Sequence, residues 1–553
     1  MKGARWIVAL GVIGITALSF LVYPGCTYLQ SDTQIYVPIL ERLYNPALFA
    51  NDPMATDPHV SFTILDEVSI AVRKATGLGF REILSGQQAL ARAAGILGVF
   101  FLASALGLAR GPSLLVAALF GLGTWIYGPT VMSVELEAVP RGFAVPLVLL
   151  GVGLAANGRD LAAGIAVGIA FLYQPPAVYP FWIVYFLLTL WPGKPEVMQR
   201  RILGLMPLLG AVLLLFLMSR WQIGETEKQE FLSRIDLAQE KLQRFRAPYN
   251  WISIWGSTLT WHYLISWLLG LAACFRLRRS ASQDLNFLFL GLPAVGLASV
   301  PVSYLLLEKW KLAIIPQFQP MRALLFVTVV LLVAAGAAGL KAASDKRLIE
   351  GVAWLWVAFL VPMQLRFEQL WTLPWSGMVA RRVLLALALA VGAGLAACSG
   401  NWSRRWSAAA LACMMVLPFP MTPALSGLRK ASPAEPPELR QLAGWARAET
   451  PAGAVFLFPD AGKGLEPGVF RALALRAVYV DWKSGGQVNY LRQFSERWWE
   501  RWRQNASTRP GPEALPRYAG WGVDYIVLRP EHRLPGRTAA YENSRFLVYR
   551  TSL

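Results

Sequence analysis

The sequence predicts a mainly α-helical protein that crosses a membrane many times and ends in a small α/β domain. Of its 553 residues, 55% are hydrophobic and 15% are charged, and the mean hydropathy is +0.44. This composition is too apolar for a soluble globular protein of that size. Apolar runs long enough to cross a hydrocarbon core recur through most of the chain, and a polar stretch follows them.

The apolar runs predict about 13 membrane helices. The first, 6–23, follows the basic residues Lys2 and Arg5, so the positive-inside rule places the N-terminus in the cytoplasm. Every predicted inner loop contains at least one basic residue, as that rule requires. The other predicted spans are 89–109, 113–131, 142–157, 161–174, 177–191, 203–219, 255–275, 285–307, 322–342, 348–365, 379–398 and 406–419.

An odd number of spans places the C-terminal end on the outer side. The predicted transmembrane domain is 1–420, and the predicted extracytoplasmic α/β domain, here called the tail, is 421–553. Two further segments are predicted to lie outside: the first loop, 24–88, and an amphipathic segment, 222–250, here called the second loop.

The tail alternates between strand and helix patterns. ELRQLAGWARAE and NYLRQFSERWWERWRQ have helical periodicity, whereas AVFLF, AVYVDW, DYIVL and RFLVYR are short and β-rich. Trp498, Trp499 and Trp502 lie among arginines in the second helix. Tryptophan stacks on sugars and also settles at membrane interfaces, and docking onto the bilayer is the favoured interpretation.

The net charge of +19 does not indicate a nucleic-acid-binding protein. The basic residues are spread through the loops, and no RNP, zinc or helix-turn-helix pattern accompanies them. Anionic lipids are the expected partners. The four cysteines and three histidines form no disulfide or metal-binding pattern, and no Walker, Rossmann or nucleophile-elbow motif is present.

Asp32 is the leading candidate for chemistry. It follows the first apolar run in SDTQIYVPIL, with Tyr36 and Arg42 on the predicted helix behind it. A carboxylate at the membrane surface can act as a general base on a substrate that arrives from outside. The alternative is an ordinary acid that caps this helix.

A second group of ionisable residues, Glu135, Glu137 and Arg141, lies in SVELEAVPRGFAVPL at the predicted outer ends of two spans. Ionisable residues so close to hydrocarbon usually pair with one another or serve a site. Glu137 and Arg141 are four residues apart, so a simple salt bridge between them is the structural alternative.

A third group lies in EKWKLAIIPQFQPMR. Lys309, Lys311 and Arg322 are cations suited to a phosphate carried on a lipid, although such residues also reach to the interface without any function. The prolines around Gln319 favour a shaped loop.

Two aspartates of the first loop, Asp52 and Asp57, are candidate ligands for Mg²⁺ or Mn²⁺, since these ions prefer oxygen ligands. Each precedes a proline, and Asp-Pro is a common turn pair, which is the favoured interpretation. No cofactor is firmly predicted.

Taken together, these motifs resemble the GT-C superfamily of integral membrane glycosyltransferases, in particular uncharacterised bacterial members. The likeness rests on DTQIYVPIL and LFANDPM in the first loop, VPRGFAVP, QPMR, and FRALALRAVYVDWK followed by a Trp/Arg helix. It covers nearly the whole chain. One departure is that Thr33 and Gln34 follow Asp32, so the adjacent acidic pair of some members is absent.

The resemblance implies an inverting hexosyl- or pentosyltransferase in the bacterial inner membrane. It implies a polyprenyl-phosphate-sugar donor and a hydroxyl acceptor on a glycan, lipid or protein. Asp32 would act on the acceptor hydroxyl, with Glu135 or Glu137 as a second acid. The departing phosphate would be neutralised by cations, namely Arg141, Lys309, Lys311 and Arg322. Two other classes remain open: a transporter or lipid flippase, and a non-catalytic assembly factor.

Overall fold

The computed structural model describes residues 2–22, 28–57, 63–126, 131–222, 232–361, 409, 413, 415–416 and 434–552. Among these described residues, four helices of the membrane part are long and apolar enough to cross a membrane, and shorter apolar helices accompany them. The helices of this part are α1 Lys2–Val22, α2 Thr33–Tyr44, α3 Pro53–Thr56, α4 Leu65–Thr76, α5 Phe80–Ala105, α6 Arg110–Gly121, α7 Pro140–Ala156, α8 Asp160–Tyr173, α9 Pro175–Leu190, α10 Pro195–Gln222, α11 Leu237–Arg246, α12 Ser257–Leu277, α13 Gln283–Ser303, α14 Ile315–Phe318, α15 Leu325–Ser344 and α16 Leu348–Leu360.

The core of this bundle is α15, which is buried along its whole apolar stretch and contacts α6, α12, α13 and α16. In contrast, much of α10 is exposed, as expected of a helix that faces lipid. Helices α5 and α7 approach closely through glycines. A Cβ added to Gly153 would lie 2.3 Å from the carbonyl oxygen of Gly98. This contact fixes α7, whose first turn contains Arg141.

One predicted span differs from the structure. The run 113–131 is not a single helix, because α6 ends at Gly121 and Gly123 adopts a positive φ of 71°. A short antiparallel pair follows, formed by β1 Trp125–Ile126 and β2 Val131–Met132. The predicted spans 379–398 and the domain boundary at 420 lie outside the described residues, as does most of 406–419.

The tail contains a five-stranded mixed sheet with helices packed on it. Strand β3 pairs in parallel with β4 and β5, and β7 pairs antiparallel with β5 and β6, in the order β4-β3-β5-β7-β6. The elements are α17 Pro437–Glu449, β3 Val455–Leu457, α18 Glu466–Ala474, β4 Ala477–Val478, α19 Arg492–Ser507, α20 Leu515–Gly520, β5 Tyr525–Leu528, β6 Tyr541–Glu542 and β7 Leu547–Arg550.

The predicted fold class, a mainly α membrane bundle with a small C-terminal α/β part, is confirmed. Both predicted tail helices and all four predicted strands are present, whereas α18, α20 and β6 were not predicted. The tail shares a hydrophobic core with the first loop. Leu29, Val37 and Leu40 pack in one cluster with Leu439 and Phe470 of the tail. This shared core brings the two ends of the chain together at the site.

Candidate functional site

Asp32 lies immediately before α2 and forms two ion pairs. Its Oδ2 is 2.8 Å from Nη2 of Arg141, and its Oδ1 is 2.6 Å from Nζ of Lys483. The side chain is 25% exposed, so solvent reaches it. Asp32 is the N-cap residue of α2 by position, but its side chain makes no capping hydrogen bond, so capping does not account for this carboxylate.

The two cations control the protonation of Asp32. Burial by itself would raise the pKa of this carboxyl, but the charges and hydrogen bonds of Lys483 and Arg141 lower the pKa well below its ordinary range. Asp32 is therefore ionised at neutral pH.

Glu137 holds the turn that presents Asp32. Its Oε1 accepts hydrogen bonds from the backbone N–H groups of Gln30 and Ser31 at 2.8 and 2.7 Å, and its Oε2 accepts from the N–H of Asp32 at 2.5 Å. The hydroxyl of Thr33 donates to Oε1 as well. Burial and the charge of Asp32 raise the pKa of Glu137, whereas its hydrogen bonds with Thr33 and Ser31 lower it. Glu137 thus positions Asp32 through the backbone.

Glu135 positions Arg141. Its Oε1 accepts from Nε of Arg141 at 2.6 Å, while the other arm of the guanidinium reaches Asp32. The carbonyl of Glu135 accepts from Nη2 of Arg92 at 2.9 Å, which anchors this segment on α5. Arg141 pairs with Glu135 and Asp32, so the alternative of a simple Glu137–Arg141 salt bridge is wrong. Pro140 starts α7 between them, and the chain turns there.

Arg322 lies close to this ion-pair network. It follows Gln319, which is buried and has a positive φ of 49° that turns the chain after α14. The Nε atom of Arg322 is buried and has no hydrogen-bond partner in the described ranges, and no carboxylate there pairs with its guanidinium. A buried cation without a carboxylate partner is suited to an anionic ligand.

Two tyrosines, Tyr36 and Tyr490, lie near both Arg322 and Asp32. Burial raises the pKa of Tyr36. The nearby Tyr490 and Asp32 raise this pKa further, whereas the positive charges of Arg141 and Arg322 lower it. Burial likewise raises the pKa of Tyr490 to about 12, although the charge of Arg322 opposes this rise. Asp32, Tyr36, Arg141 and Arg322, all predicted site residues, therefore surround one region.

Lys483 was not identified as a site residue from the sequence, although it ends the motif FRALALRAVYVDWK on which the resemblance rests. Its Nζ donates to Oγ of Ser31 at 2.6 Å and contacts Asp32. Arg246 was also missed. Its Nε donates to the carbonyl of Trp482 at 3.0 Å, beside Lys483. Lys483 and Arg246 come to the site because the tail and the second loop pack against it.

Several predicted site residues have other roles. Lys311 pairs with Glu240 at 2.8 Å, and Lys309 is exposed beside the ring of Tyr304. Arg42 donates to backbone carbonyls of the first loop, including that of Leu48 at 2.7 Å. These contacts give the three cationic side chains structural roles, and none of the contacts is with Asp32.

The two candidate metal ligands are held by arginines. Asp52 pairs with Arg471 at 2.6 Å and also accepts from the N–H groups of Met54 and Val478, so both of its oxygens are engaged. Asp57 pairs with Arg497. Among the residues that the structure describes, no group of three or more His, Cys, Asp or Glu could hold a metal ion. Asp52 and Asp57 therefore do not fit a metal site.

The tryptophans of α19 pack within the protein. Trp498 is buried and donates from Nε1 to the carbonyl of Asp481 at 2.9 Å. Trp502 packs on Trp482, and Trp499 packs on Phe245 of the second loop. The helix thus supports the segment that carries Lys483, which is a different role from the predicted docking on a bilayer.

Known proteins match this chain in part of its sequence and in its fold. A family described as a domain of unknown function (DUF6798) matches residues 437–504, and no curated protein matches the chain. The chain is similar to apo ArnT from Cupriavidus metallidurans, with a TM-score of 0.54 and 14% identity over 100% of this chain and 98% of that one. Two other similarities are weaker. Arabinofuranosyltransferase AftD from Mycobacteria has a TM-score of 0.45 and 16% identity, over 99% of this chain and 40% of that one. ArnT from Cupriavidus metallidurans bound to undecaprenyl phosphate has a TM-score of 0.36 and 14% identity, over 99% of this chain and 98% of that one.

The full-length likeness to apo ArnT shows that this chain has the ArnT fold, in agreement with the fold class predicted from the sequence. With its long apolar helices, it is a multi-pass membrane protein.

Proposed function

We propose that this protein is an inverting glycosyltransferase of the bacterial inner membrane. It moves a hexosyl or pentosyl group from a polyprenyl-phosphate donor to a hydroxyl of a glycan, lipid or protein acceptor. The first loop and the tail lie on the outer face, and the N-terminus is cytoplasmic. The observation that carries the proposal is the Asp32 carboxylate between Arg141 and Lys483, with the buried guanidinium of Arg322 nearby.

The cations bind the phosphate of the donor. The guanidinium of Arg322 has no carboxylate partner in the described part of the chain, so a phosphate can bind it without displacing an internal ion pair. Arg141 and Lys483 lie beside Asp32 and add positive charge where the phosphate leaves. ArnT, whose apo structure this fold resembles, has also been solved with undecaprenyl phosphate, and this lipid is therefore a suitable probe.

Asp32 is the general base. The acceptor oxygen attacks the anomeric carbon, its proton passes to Asp32, and the bond from the anomeric carbon to the phosphate oxygen breaks, with its electron pair leaving on the phosphate. A carboxylate with a strongly lowered pKa is a weak base. As negative charge grows on the departing phosphate, Lys483 and Arg141 are drawn toward it, and the pKa of Asp32 rises when the proton has to be taken up.

The test is transfer of labelled sugar from a polyprenyl-phosphate donor in proteoliposomes. Asp32→Asn keeps the shape of the side chain and removes the base, so the rate is expected to fall by about 10²–10⁴-fold. Asp345→Asn is the matched control, because this exposed acid lies at the far end of α15 from Arg322. EDTA in the same assay tests whether transfer requires Mg²⁺ or Mn²⁺.

Unchanged transfer by Asp32→Asn would remove this residue from the mechanism. If the wild type transfers no sugar from any donor offered, the proposed function is wrong. Lipid translocation without transfer would instead identify a flippase.

A further inference from the structure

A buried ion triad connects the tail to the first loop. Arg471, on α18, donates from Nε to Oδ2 of Asp52 at 2.6 Å and from Nη2 to Oδ2 of Asp481 at 2.5 Å. All three side chains are only 1% exposed. Burying three charges is costly, and such a triad is weak evidence for a role in stability alone.

The Asp52 end of the triad attaches β4 and the turn after it to the first loop. Oδ2 of Asp52 also accepts from the N–H of Val478 at 3.0 Å. Further along, the side-chain amide of Gln487 donates to the carbonyl of Met54 at 3.2 Å. The chain between Val478 and Gln487 is therefore held at both of its ends against the first loop, and Lys483 lies between them.

The Asp481 end fixes the turn that contains Lys483. Oδ1 of Asp481 accepts from the N–H of Ser484 at 2.9 Å, and Trp498 donates to the carbonyl of Asp481. On the other side of the turn, Arg246 donates to the carbonyl of Trp482. A lysine side chain is long and flexible, so a rigid backbone at Lys483 lowers the entropy cost of holding Nζ at Asp32.

We propose that Arg471 is a positioning residue, which bridges Asp52 and Asp481 so that Lys483 reaches Asp32. The segment matched by the domain of unknown function then contributes directly to the transfer site, instead of forming a separate binding module. The inference rests on the proposed function for its link to transfer, but the placement of Lys483 can be tested independently.

Arg471→Lys is the informative variant. A lysine keeps the positive charge between the two carboxylates but has no planar fork, so it cannot hold Asp52 and Asp481 in the same bidentate way. Arg476→Lys is the matched control. Arg476 is a second buried arginine of the tail, it donates to Thr450 and to backbone carbonyls, and it has no contact with the Lys483 turn.

The first measurement is acetylation of the full-length detergent-solubilised protein, with the modification of each lysine quantified by mass spectrometry. Nζ of Lys483 is engaged by Ser31 and Asp32, and it should react slowly in the wild type and in Arg476→Lys. In Arg471→Lys its rate should rise by roughly 5-fold or more, as a freed lysine returns to its ordinary reactivity, while the exposed Lys194, which lies before α10 and away from the turn, keeps its rate.

The second measurement is a double-mutant cycle in the transfer assay. Arg471→Lys should lower the rate by about 10-fold in the wild-type background and have almost no further effect in Lys483→Gln, because the two residues act through one contact.

Three results would overturn the inference. The first is unchanged reactivity of Lys483 in Arg471→Lys, and the second is faster reaction of all lysines together in that variant. The third is that the effects of Arg471→Lys and Lys483→Gln on the transfer rate multiply. If the wild type transfers no sugar, the proposed function fails, but the acetylation rates still decide whether Arg471 positions Lys483.

Discussion

Nζ of Lys483 lies 2.6 Å from Oδ1 of Asp32, so two residues from opposite ends of the chain form one ion pair. Asp32 follows the first membrane helix, and Lys483 follows β4 of the tail. The tail therefore contributes a charge to the site. This pairing has consequences for the protonation of Asp32 that can be measured.

Lys483→Gln is expected to destabilise the protein at neutral pH by about 1–3 kcal/mol, because a partly buried charge-assisted hydrogen bond is lost. The folded-state pKa of Asp32 is lowered, so its ionised form contributes stability above its unfolded pKa of about 3.9, and this contribution is lost as the pH falls through the folded-state pKa. The variant raises that folded-state pKa. The stability difference should therefore be constant above pH ~4 and shrink below it.

Unfolding in detergent at pH 7, 5, 4 and 3 measures this difference. Lys194→Gln, at an exposed position before α10, serves as the control and should stay within about 0.5 kcal/mol of the wild type. A difference that grows on acidification would contradict the assignment.

Glu137→Gln should disturb the turn that presents Asp32. The carboxylate accepts three backbone N–H groups and one hydroxyl through two oxygens, whereas glutamine has one acceptor oxygen and an NH₂ group that would face a donor. We expect a loss of about 1–3 kcal/mol in the free energy of unfolding. Glu500→Gln, on the exposed face of α19, is the control. Equal stability of the two variants would show that Glu137 does not hold this turn.

Much of the fold could be predicted from the sequence because it depends on local patterns. Apolar runs of membrane length mark the helices, and period-two or helical spacing marks the elements of the tail. The run 113–131 was predicted wrongly because it contains no charged residue, and Gly121 and Gly123 are the local signals for the end of α6. Hydropathy alone does not separate a spanning helix from a shorter helix followed by a hairpin.

The site could be predicted only in part, and for a different reason. Asp32, Glu135, Glu137 and Arg141 lie in two short segments, and their position next to apolar runs marks them as ionisable residues at a membrane surface. Lys483 has no such signal, because its partner is determined by the tertiary docking of the tail. Lys311 had the same apparent signal as Arg322, but Glu240 of the second loop neutralises it.

Asp66 provides a pH-dependent prediction away from Asp32. Burial, and then the neighbouring Glu67, raise the pKa of Asp66 to about 8. Because the folded state keeps a proton that the unfolded chain releases, stability should fall as the pH rises from about 4 to about 8, by on the order of a few kcal/mol. Asp66→Asn removes this titration and should flatten the dependence.

Unfolding midpoints at pH 5 and pH 8 measure the effect. The variant is expected to match or exceed the wild type at pH 8, whereas Glu196→Gln, at an exposed position, should keep the wild-type slope. An unchanged slope in Asp66→Asn would show that another group is responsible.

Arg322 and Lys309 were both predicted to bind the phosphate of the donor, and the structure separates them. Arg322 is close to Arg141 and Tyr490 and has a buried Nε without a hydrogen-bond partner in the described residues. Lys309 is exposed next to Tyr304. Arg322→Gln should weaken the binding of undecaprenyl phosphate by about 10–100-fold, as expected for the loss of a charge-assisted contact.

Native mass spectrometry or a thermal shift titration with undecaprenyl phosphate measures this affinity. Lys309→Gln is the matched control, since it removes one positive charge from the same loop at an exposed position and should change the affinity less than about 3-fold. If both variants bind equally weakly, the attraction comes from the general positive charge of the loop. If only Arg322→Gln is affected, the phosphate binds beside Arg141, where the departing group would also have to be stabilised.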